Sequence, residues 1–294
     1  MKLINIIKSI YTHPFNNKIK FKAVLNFIKW QFGSYLITYP IIYNLTGNSK
    51  LIISKGQTGA TGNYYNGLHE FNDMMFILHF LRIDEIFYDI GANIGVYTIL
   101  ASAEIGAKTY SIEPIPDTFN NLASNIIINN IQEKVYQLNV GVGDEEKVLF
   151  FTSNLDTVNH VVSSSDSEIA SVSVKTILID NISEQDKPIL MKIDVEGFET
   201  PAILGAANTL SNPKLKALII ELNGSGLRYG YDDTEIHKKL LNYGFKPYNY
   251  LPRQRELIEL DKYNSHNTIY CRDINFIKER LNSSPKIKIK DQFI

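Results

Sequence analysis

From residue 85 onward the chain alternates short β-rich apolar runs with segments of helical periodicity, and no other feature constrains the fold as much. The apolar runs cover residues 86–90, 108–113, 135–142, 189–194 and 215–222, and helical spacing occupies 96–104, 117–130, 200–210 and 234–243. A strand that returns parallel to its predecessor needs a crossover of helix length, so the pattern predicts a parallel sheet with right-handed crossovers. Two further stretches, 147–152 and 170–177, predict extra strands flanking a Ser-rich loop, and 245–249 with 268–271 predict a closing antiparallel pair. A chain of 294 residues accommodates one such domain of roughly 200 residues plus additions. We expect residues 1–69 to be a basic extension and lid, 70–272 the α/β domain, and 273–294 a helix with a lysine-bearing tail.

Charge separates the extension from the domain. The net charge is −1, yet no Asp or Glu precedes Glu70, while Lys2, Lys8, Lys18, Lys20, Lys22, Lys29, Lys50 and Lys55 do. Within residues 20–31, Phe21, Val24, Leu25, Phe27 and Ile28 recur near helical spacing with lysines between them, which predicts an amphipathic basic helix. Packing against the core is its first reading. Attachment to an anionic membrane, where each lysine contributes about 1 kcal/mol, is the alternative. Residues 43–54 alternate around Gly47-Asn48-Ser49 as a hairpin does, and 70–81 carries a helical pattern. Between them the Gly-, Thr- and Tyr-rich stretch 56–67, with Tyr64 and Tyr65, reads as a flexible active-site lid or an ordinary loop.

Hydrophobic residues at 44% and charged residues at 21%, without biased tracts, exclude a disordered chain. The single Cys271 excludes an intramolecular disulfide and a multi-thiolate metal site, and it reads as a small apolar residue in a strand. The N-terminal apolar stretch is interrupted at Lys8, and no run approaches the ~20 apolar residues of a membrane span. A cytoplasmic protein, soluble or peripheral at the membrane, is expected.

Chemistry concentrates at predicted strand ends, where open α/β sheets bind ligands. Asp89-Ile90-Gly91-Ala92-Asn93-Ile94-Gly95 joins the first strand to the first helix. Gly91 permits the sharp turn and Gly95 a close helix start, so main-chain N–H groups are expected to reach an anionic ligand group such as a methionine carboxylate. Asp89 would accept from the ligand's ammonium. Glu113, followed by Pro114, ends the second strand, where a carboxylate can accept both hydroxyls of a ribose. These features predict an adenosine-type cofactor. Asn93 occupies the place of a dinucleotide fingerprint's second glycine, and no tyrosine begins a Tyr-x-x-x-Lys pair, so S-adenosylmethionine fits better than NAD.

Lys192-Ile193-Asp194-Val195-Glu196-Gly197-Phe198-Glu199 ends the fourth strand, and Glu221-Leu222-Asn223 ends the fifth. Glu199 is explained by a helix N-terminus, where an acid favours the dipole. Asp194 is not, because a strand-end carboxylate faces the ligand crevice. Asp194 with Glu221 or Asn223 would also offer hard oxygen ligands for Mg²⁺, an option beside a plain solvated loop pair.

Together Asp89-Ile-Gly-Ala-Asn-Ile-Gly, Glu113-Pro114, Asn139-Val-Gly-Val-Gly-Asp144, Ile193-Asp-Val-Glu-Gly-Phe-Glu199 and Ile220-Glu-Leu-Asn223 resemble the FkbM family of S-adenosylmethionine-dependent methyltransferases, over about residues 70–250. The resemblance implies a Rossmann-like class I methyltransferase fold: a mostly parallel seven-stranded sheet with an antiparallel last strand, here with an N-terminal helical and hairpin extension. It implies O-methylation, often of sugar hydroxyls in glycans and glycolipids, hence a carbohydrate or small-molecule acceptor. By the same resemblance Asp89, Gly91, Asn93 and Gly95 hold the methionine end, Glu113 the ribose, and Asn139 lies near the adenine. Glu70, heading the helix before the core, is counted with this cofactor set. Asp194 and Glu196 line the reaction centre, and the proton acceptor is expected in the order Asp194, Glu196, Glu221, with His69 and His160 as further bases. His160 and two valines interrupt the segment around Asn159 to Ser165, which in the family is often rich in Ser and Gly. An NAD-dependent oxidoreductase and a non-catalytic cofactor-binding adaptor are the competing readings; no nucleic-acid module is recognised.

Overall fold

The computed structural model describes residues 2–36, 39–155, 158–163 and 170–294. Its first 80 residues cap the sheet. Helices α1 (Lys2–Thr12) and α2 (Lys20–Leu36) are joined by a 3₁₀ turn (Pro14–Lys18). The turn is fixed from inside by buried Asn16, whose amide donates to the Ile10 carbonyl and to Asn66 Oδ1, both at 2.9 Å. Strands β1 (Ile41–Asn44) and β2 (Lys50–Ile53) form the expected hairpin. The glycine-rich stretch is not a loop, because Thr58–Asn66 forms helix α3. Its low intrinsic helix propensity is overridden by packing: the Tyr65 ring meets Phe27 edge-on at 5.3 Å, and Tyr64 lies 5.5 Å from Trp30 and 5.4 Å from Tyr43. Helix α4 (Phe71–Phe80) follows, buried along most of its length against the sheet.

The alternating region then builds β3 (Ile86–Ile90), α5 (Val96–Ile99) widening into a π-helical turn (Leu100–Ile105), β4 (Lys108–Ile112), α6 (Pro116–Ile128) and β5 (Val135–Leu138). The single run expected over 135–142 divides. After β5 the chain leaves the main sheet, and β6 (Gly141–Val142), β7 (Val148–Thr152) and β8 (Ser171–Ile177) make a separate three-stranded sheet in the order β6-β8-β7. Part of the expected Ser-rich loop between β7 and β8, residues 164–169, lies outside the described residues.

The chain re-enters with β9 (Leu190–Ile193), α7 (Glu199–Leu204), α8 (Ala207–Ser211), β10 (Ala217–Glu221), α9 (Asp233–Asn242), β11 (Lys246–Leu251), β12 (Glu256–Glu259) and β13 (Asn267–Cys271). The helix expected over 200–210 breaks at Gly205, where the Gly143 carbonyl comes so close that a Cβ would lie 2.0 Å from its oxygen. The main sheet has eight strands, not the seven expected, in the order β12-β11-β13-β10-β9-β3-β4-β5. The additional strand is β12, which pairs antiparallel with β11 at the edge; Glu-Leu-Ile-Glu offers little alternation to read. From β5 to β10 neighbours are parallel, and β13 then inserts antiparallel between β10 and β11. Strand order reverses between β3 and β9, which opens a crevice at their carboxyl ends.

Two apolar layers flank the sheet. One joins α4, the α5 π-turn and the final helix α10 (Ile274–Ser283); the other joins α7, α8 and α9. The tail is no loose appendage: β14 (Lys288–Ile289) pairs with β15 (Gln292–Phe293), and Ile287, Ile289 and Ile294 are buried in the first layer. Cys271 is buried in β13, and burial pushes its thiol well above the usual range, as suits an inert apolar residue.

Candidate active site

A cavity of about 310 Å³ occupies the crevice. Its floor is the carboxyl ends of β3, β4, β9 and β10, one wall is α3 with His69 and Glu70, and Phe151 and Asn159 of the β6–β8 insertion close the other side. Glu70, Gly91, Asn93, Glu113, Asp194, Glu196 and Glu221 all line it, so residues far apart in sequence meet here.

The loop after β3 is folded tightly against β9. Gly91 has φ +76°, and a Cβ there would fall 1.8 Å from the Asp194 carbonyl oxygen, so no side chain fits. The tightness has a consequence that departs from expectation. The Gly91 and Ala92 amides donate to the Ile112 carbonyl, Asn93 to Glu113, Ile94 to the Asn93 side chain, and Gly95 to Ala92. The loop amides are therefore spent on the end of β4 and on the loop itself and are not displayed to an anion. Gly95 and Asp89 lie behind this wall. The Asp89 carboxylate accepts from Thr98 Oγ1 at 2.7 Å, and its other oxygen is buried without a hydrogen-bond partner.

Glu113 is 5% exposed, and its two oxygens accept the Asn93 and Ile115 amides at 2.9 and 3.0 Å. Burial outweighs both bonds and pushes the carboxyl up to about 7. Each oxygen keeps a lone pair for a ligand. Asn139 does not line the cavity: its amide donates to the Glu113 and Pro114 carbonyls at 2.8 and 3.0 Å, holding the turn whose continuation, Val140 to Val142, supplies the wall.

The turn after β9 gathers the acids. Glu199, 2% exposed, accepts the Val195 and Gly197 amides at 3.0 and 3.3 Å, a more specific task than favouring the helix dipole. This turn holds Glu196 in the left-handed region at φ 53°, a strained position that aims its carboxylate inward. Asp194, Glu196 and Glu221 each bring an oxygen within 4.8 Å of the others. Burial, followed by Asp194 and Glu199, pushes Glu196 up to about 8. Burial, followed by Asp194 and Glu196, raises Glu221 too, and its buried Oε2 has no partner. Asn223 is exposed and turned onto the Ser225 amide, so it does not join them.

Residues 89–247 match the model of the methyltransferase FkbM domain. The chain belongs to this family. It is similar to the hexuronic acid methyltransferase AglP of Haloferax volcanii, 29% identical over 162 residues that make up 53% of this chain and 62% of the relative, so it spans less than two thirds of that protein. Among solved structures it resembles the methyltransferase FkbM of Methylobacillus flagellatus, with 18% identity, a TM-score of 0.45, and coverage of 71% of this chain and 52% of the other. It also resembles an S-adenosylmethionine-dependent O-methyltransferase of Thermotoga maritima, with 9% identity, a TM-score of 0.36, and coverage of 70% and 65%.

The FkbM span opens on Asp89 and closes in β11, so Glu70 and the α3 wall come from outside it. Glu70 accepts from Asn267 Nδ2 at 2.5 Å, which ties the cap to β13. Within the span, the residue whose role was missed is Lys192. Its ammonium lies 2.7 Å from Asp194 Oδ2 and 4.8 Å from the centre of the buried Tyr97 ring. Burial opposes the charge, but Asp194, Glu70 and Asp89 together outweigh it and hold the lysine above its ordinary range. The signal was a lone cation inside an apolar strand, which has to be paired. His69 lines the cavity, whereas His160 is turned inward onto the Val158 carbonyl.

Proposed function

We propose that the chain binds S-adenosylmethionine in this cavity and methylates a hydroxyl oxygen of a sugar acceptor. One observation carries the choice of cofactor. Among the described residues five carboxyl groups, Glu70, Glu113, Asp194, Glu196 and Glu221, line the cavity against one lysine, Lys192, which is already tied to Asp194. Such a wall favours a ligand whose sulfonium and ammonium charges draw its raised carboxyls into their ionised form, and it disfavours a pyrophosphate, which argues against NAD. The spent loop amides point the same way. In this reading Glu113 takes the ribose hydroxyls, supported by its position in the cavity wall, and Asp89 lies behind that wall. A carbohydrate acceptor is supported by the relative that carries hexuronic acid in its name.

When bound, S-adenosylmethionine supplies a carbon already activated for displacement. The chain's residues then align the acceptor oxygen and take its proton. Asp194 is already engaged in an ion pair with Lys192. Glu196 and Glu221, raised by burial and by neighbouring carboxylates, hold a proton more firmly, so we place proton acceptance on them and leave Asp194 to position Lys192. A magnesium ion is not part of this reading, because Lys192 already supplies the counter-charge at Asp194. We take 70–272 as the catalytic unit and 1–69 as an extension reaching toward an anionic membrane; among the described residues no helix is long and apolar enough to cross one.

The test is a calorimetric titration of wild type, Glu113→Ala and Glu113→Gln with S-adenosylmethionine and with NAD, followed by labelled methyl transfer to a panel of sugars. Wild type should bind S-adenosylmethionine alone, with both variants weaker by at least about tenfold, the loss of one charge-assisted contact. Binding of NAD, or no binding of S-adenosylmethionine by wild type, would overturn the reading.

A further inference from the structure

We infer that the outer face of α2, with the lysines beside it, seats the protein on the surface of an anionic phospholipid bilayer. Helix α2 is apolar on two faces. Ala23, Phe27, Trp30 and Ser34 recur at intervals of four, three and four residues and turn inward, with Phe27 and Trp30 against Tyr65 and Tyr64 of α3. Phe21, Leu25, Ile28, Phe32 and Tyr35 recur in the same rhythm, and with Leu36 they are exposed, Phe21 by 89%, Phe32 by 73% and Leu36 by 86%. At about 100° per residue the two stripes lie roughly half a turn apart, so the packing that anchors the helix leaves the second stripe uncovered. Single exposed apolar side chains are ordinary; a stripe along a 17-residue helix, about 25 Å, is not.

Charge decides what covers it. The sequence has no Asp or Glu before Glu70, and Lys8, Lys18, Lys22, Lys29 and Lys55 are exposed on this cap. Among the described residues only Lys22 of these has a carboxylate partner, Asp291, at 2.5 Å. An apolar stripe with a rim that is cationic apart from Asp291 matches acyl chains under anionic headgroups, whereas a folded protein partner would ordinarily be met by charges of both signs. A cleft of about 130 Å³ at the end of α2 adds a second observation: Lys29 and Lys55 line it together with Trp30, Tyr39 and Tyr64, a cationic and aromatic slot suited to a lipid phosphate. Helix α3 packs on α2 with its tyrosines and lines the active-site cavity with Gly59 and Asn63. The seat therefore lies one helix away from the cavity.

Flotation of the full chain with phosphatidylcholine vesicles and with vesicles containing phosphatidylglycerol tests this without reference to methyl transfer. Wild type should float with the anionic vesicles only, less at high salt. Phe21→Ser/Phe32→Ser/Leu36→Ser, three exposed positions, should lower the bound fraction at least about tenfold while leaving the thermal transition unchanged. Lys29→Glu/Lys55→Glu should lower it likewise. No flotation of wild type, equal flotation of the serine variant, or a wild-type dimer that the serine variant dissociates would each overturn the inference, the last by making the face a contact between copies.

Discussion

Lys192 is a cation that the site cannot lose without consequence. Its side chain is 4% exposed and faces Asp194, 24% exposed, while Glu70 and Asp89 add to the field that keeps it charged. Replacing it with a methionine of similar length would preserve the volume and strand Asp194 among other carboxylates. Removing one partner of a buried pair costs about 3–5 kcal/mol, and the residual exposure of Asp194 places Lys192→Met near 3 kcal/mol. Urea denaturation at pH 7 measures it, and Lys192→Met/Asp194→Asn should recover most of the loss. A cost below about 1 kcal/mol, or no recovery, would show that the pair does not hold the site together. At this scale the acids were legible, because glycines and carboxylates at strand ends mark a crevice in any open α/β sheet. The Lys192–Asp194 pair was legible too, because residues two apart along β9 share a face of the pleat, whereas Glu70 and Asn267 meet only through the fold.

The elements the sequence concealed are those made by tertiary contact. The parallel strands and the β1–β2 hairpin follow from local pattern, whereas α3 exists because Tyr64 and Tyr65 find Trp30 and Phe27. The π-helical turn after α5 is another such case, and it places Glu104 under the hairpin. Glu104 Oε2 accepts the Thr46 hydroxyl at 2.5 Å and the Asn48 amide at 2.9 Å, holding the turn between β1 and β2. Glu104→Ala should free that turn alone. Losing a charged acceptor is worth about 1.5 kcal/mol, so amides of residues 44–50 should exchange roughly tenfold faster while the slow amides of β3, β9 and β10 stay unchanged. Acceleration spread evenly over the sheet would show instead that the hairpin opens only with the whole domain.

The whole molecule carries a strain of charge that the alternating pattern does not disclose. Burial lifts Asp73, Glu113 and Glu199 to about 7 and Glu196 to about 8, far above ordinary carboxyls near 4. A carboxyl raised on folding binds its proton more tightly in the native state, so its contribution is present below the unfolded value and is lost as pH rises through 7 to 8. His13 and His79 act in the opposite direction: burial lowers them to about 4 and about 3, and their contribution is lost as pH falls below 6.5. These four carboxyls, with Glu221 raised beside them, outweigh the two histidines, so ligand-free protein should melt several degrees higher at pH 5.5 than at pH 8 at constant ionic strength. Glu113→Gln removes one of the four and should narrow the gap. S-adenosylmethionine, by bringing positive charge among the ionised acids, should stabilise more at pH 8 than at pH 5.5. A melting temperature that rises with pH over this range would mean that these carboxyls are ionised in the native state at little cost, and that the cavity is more open to water than its walls imply.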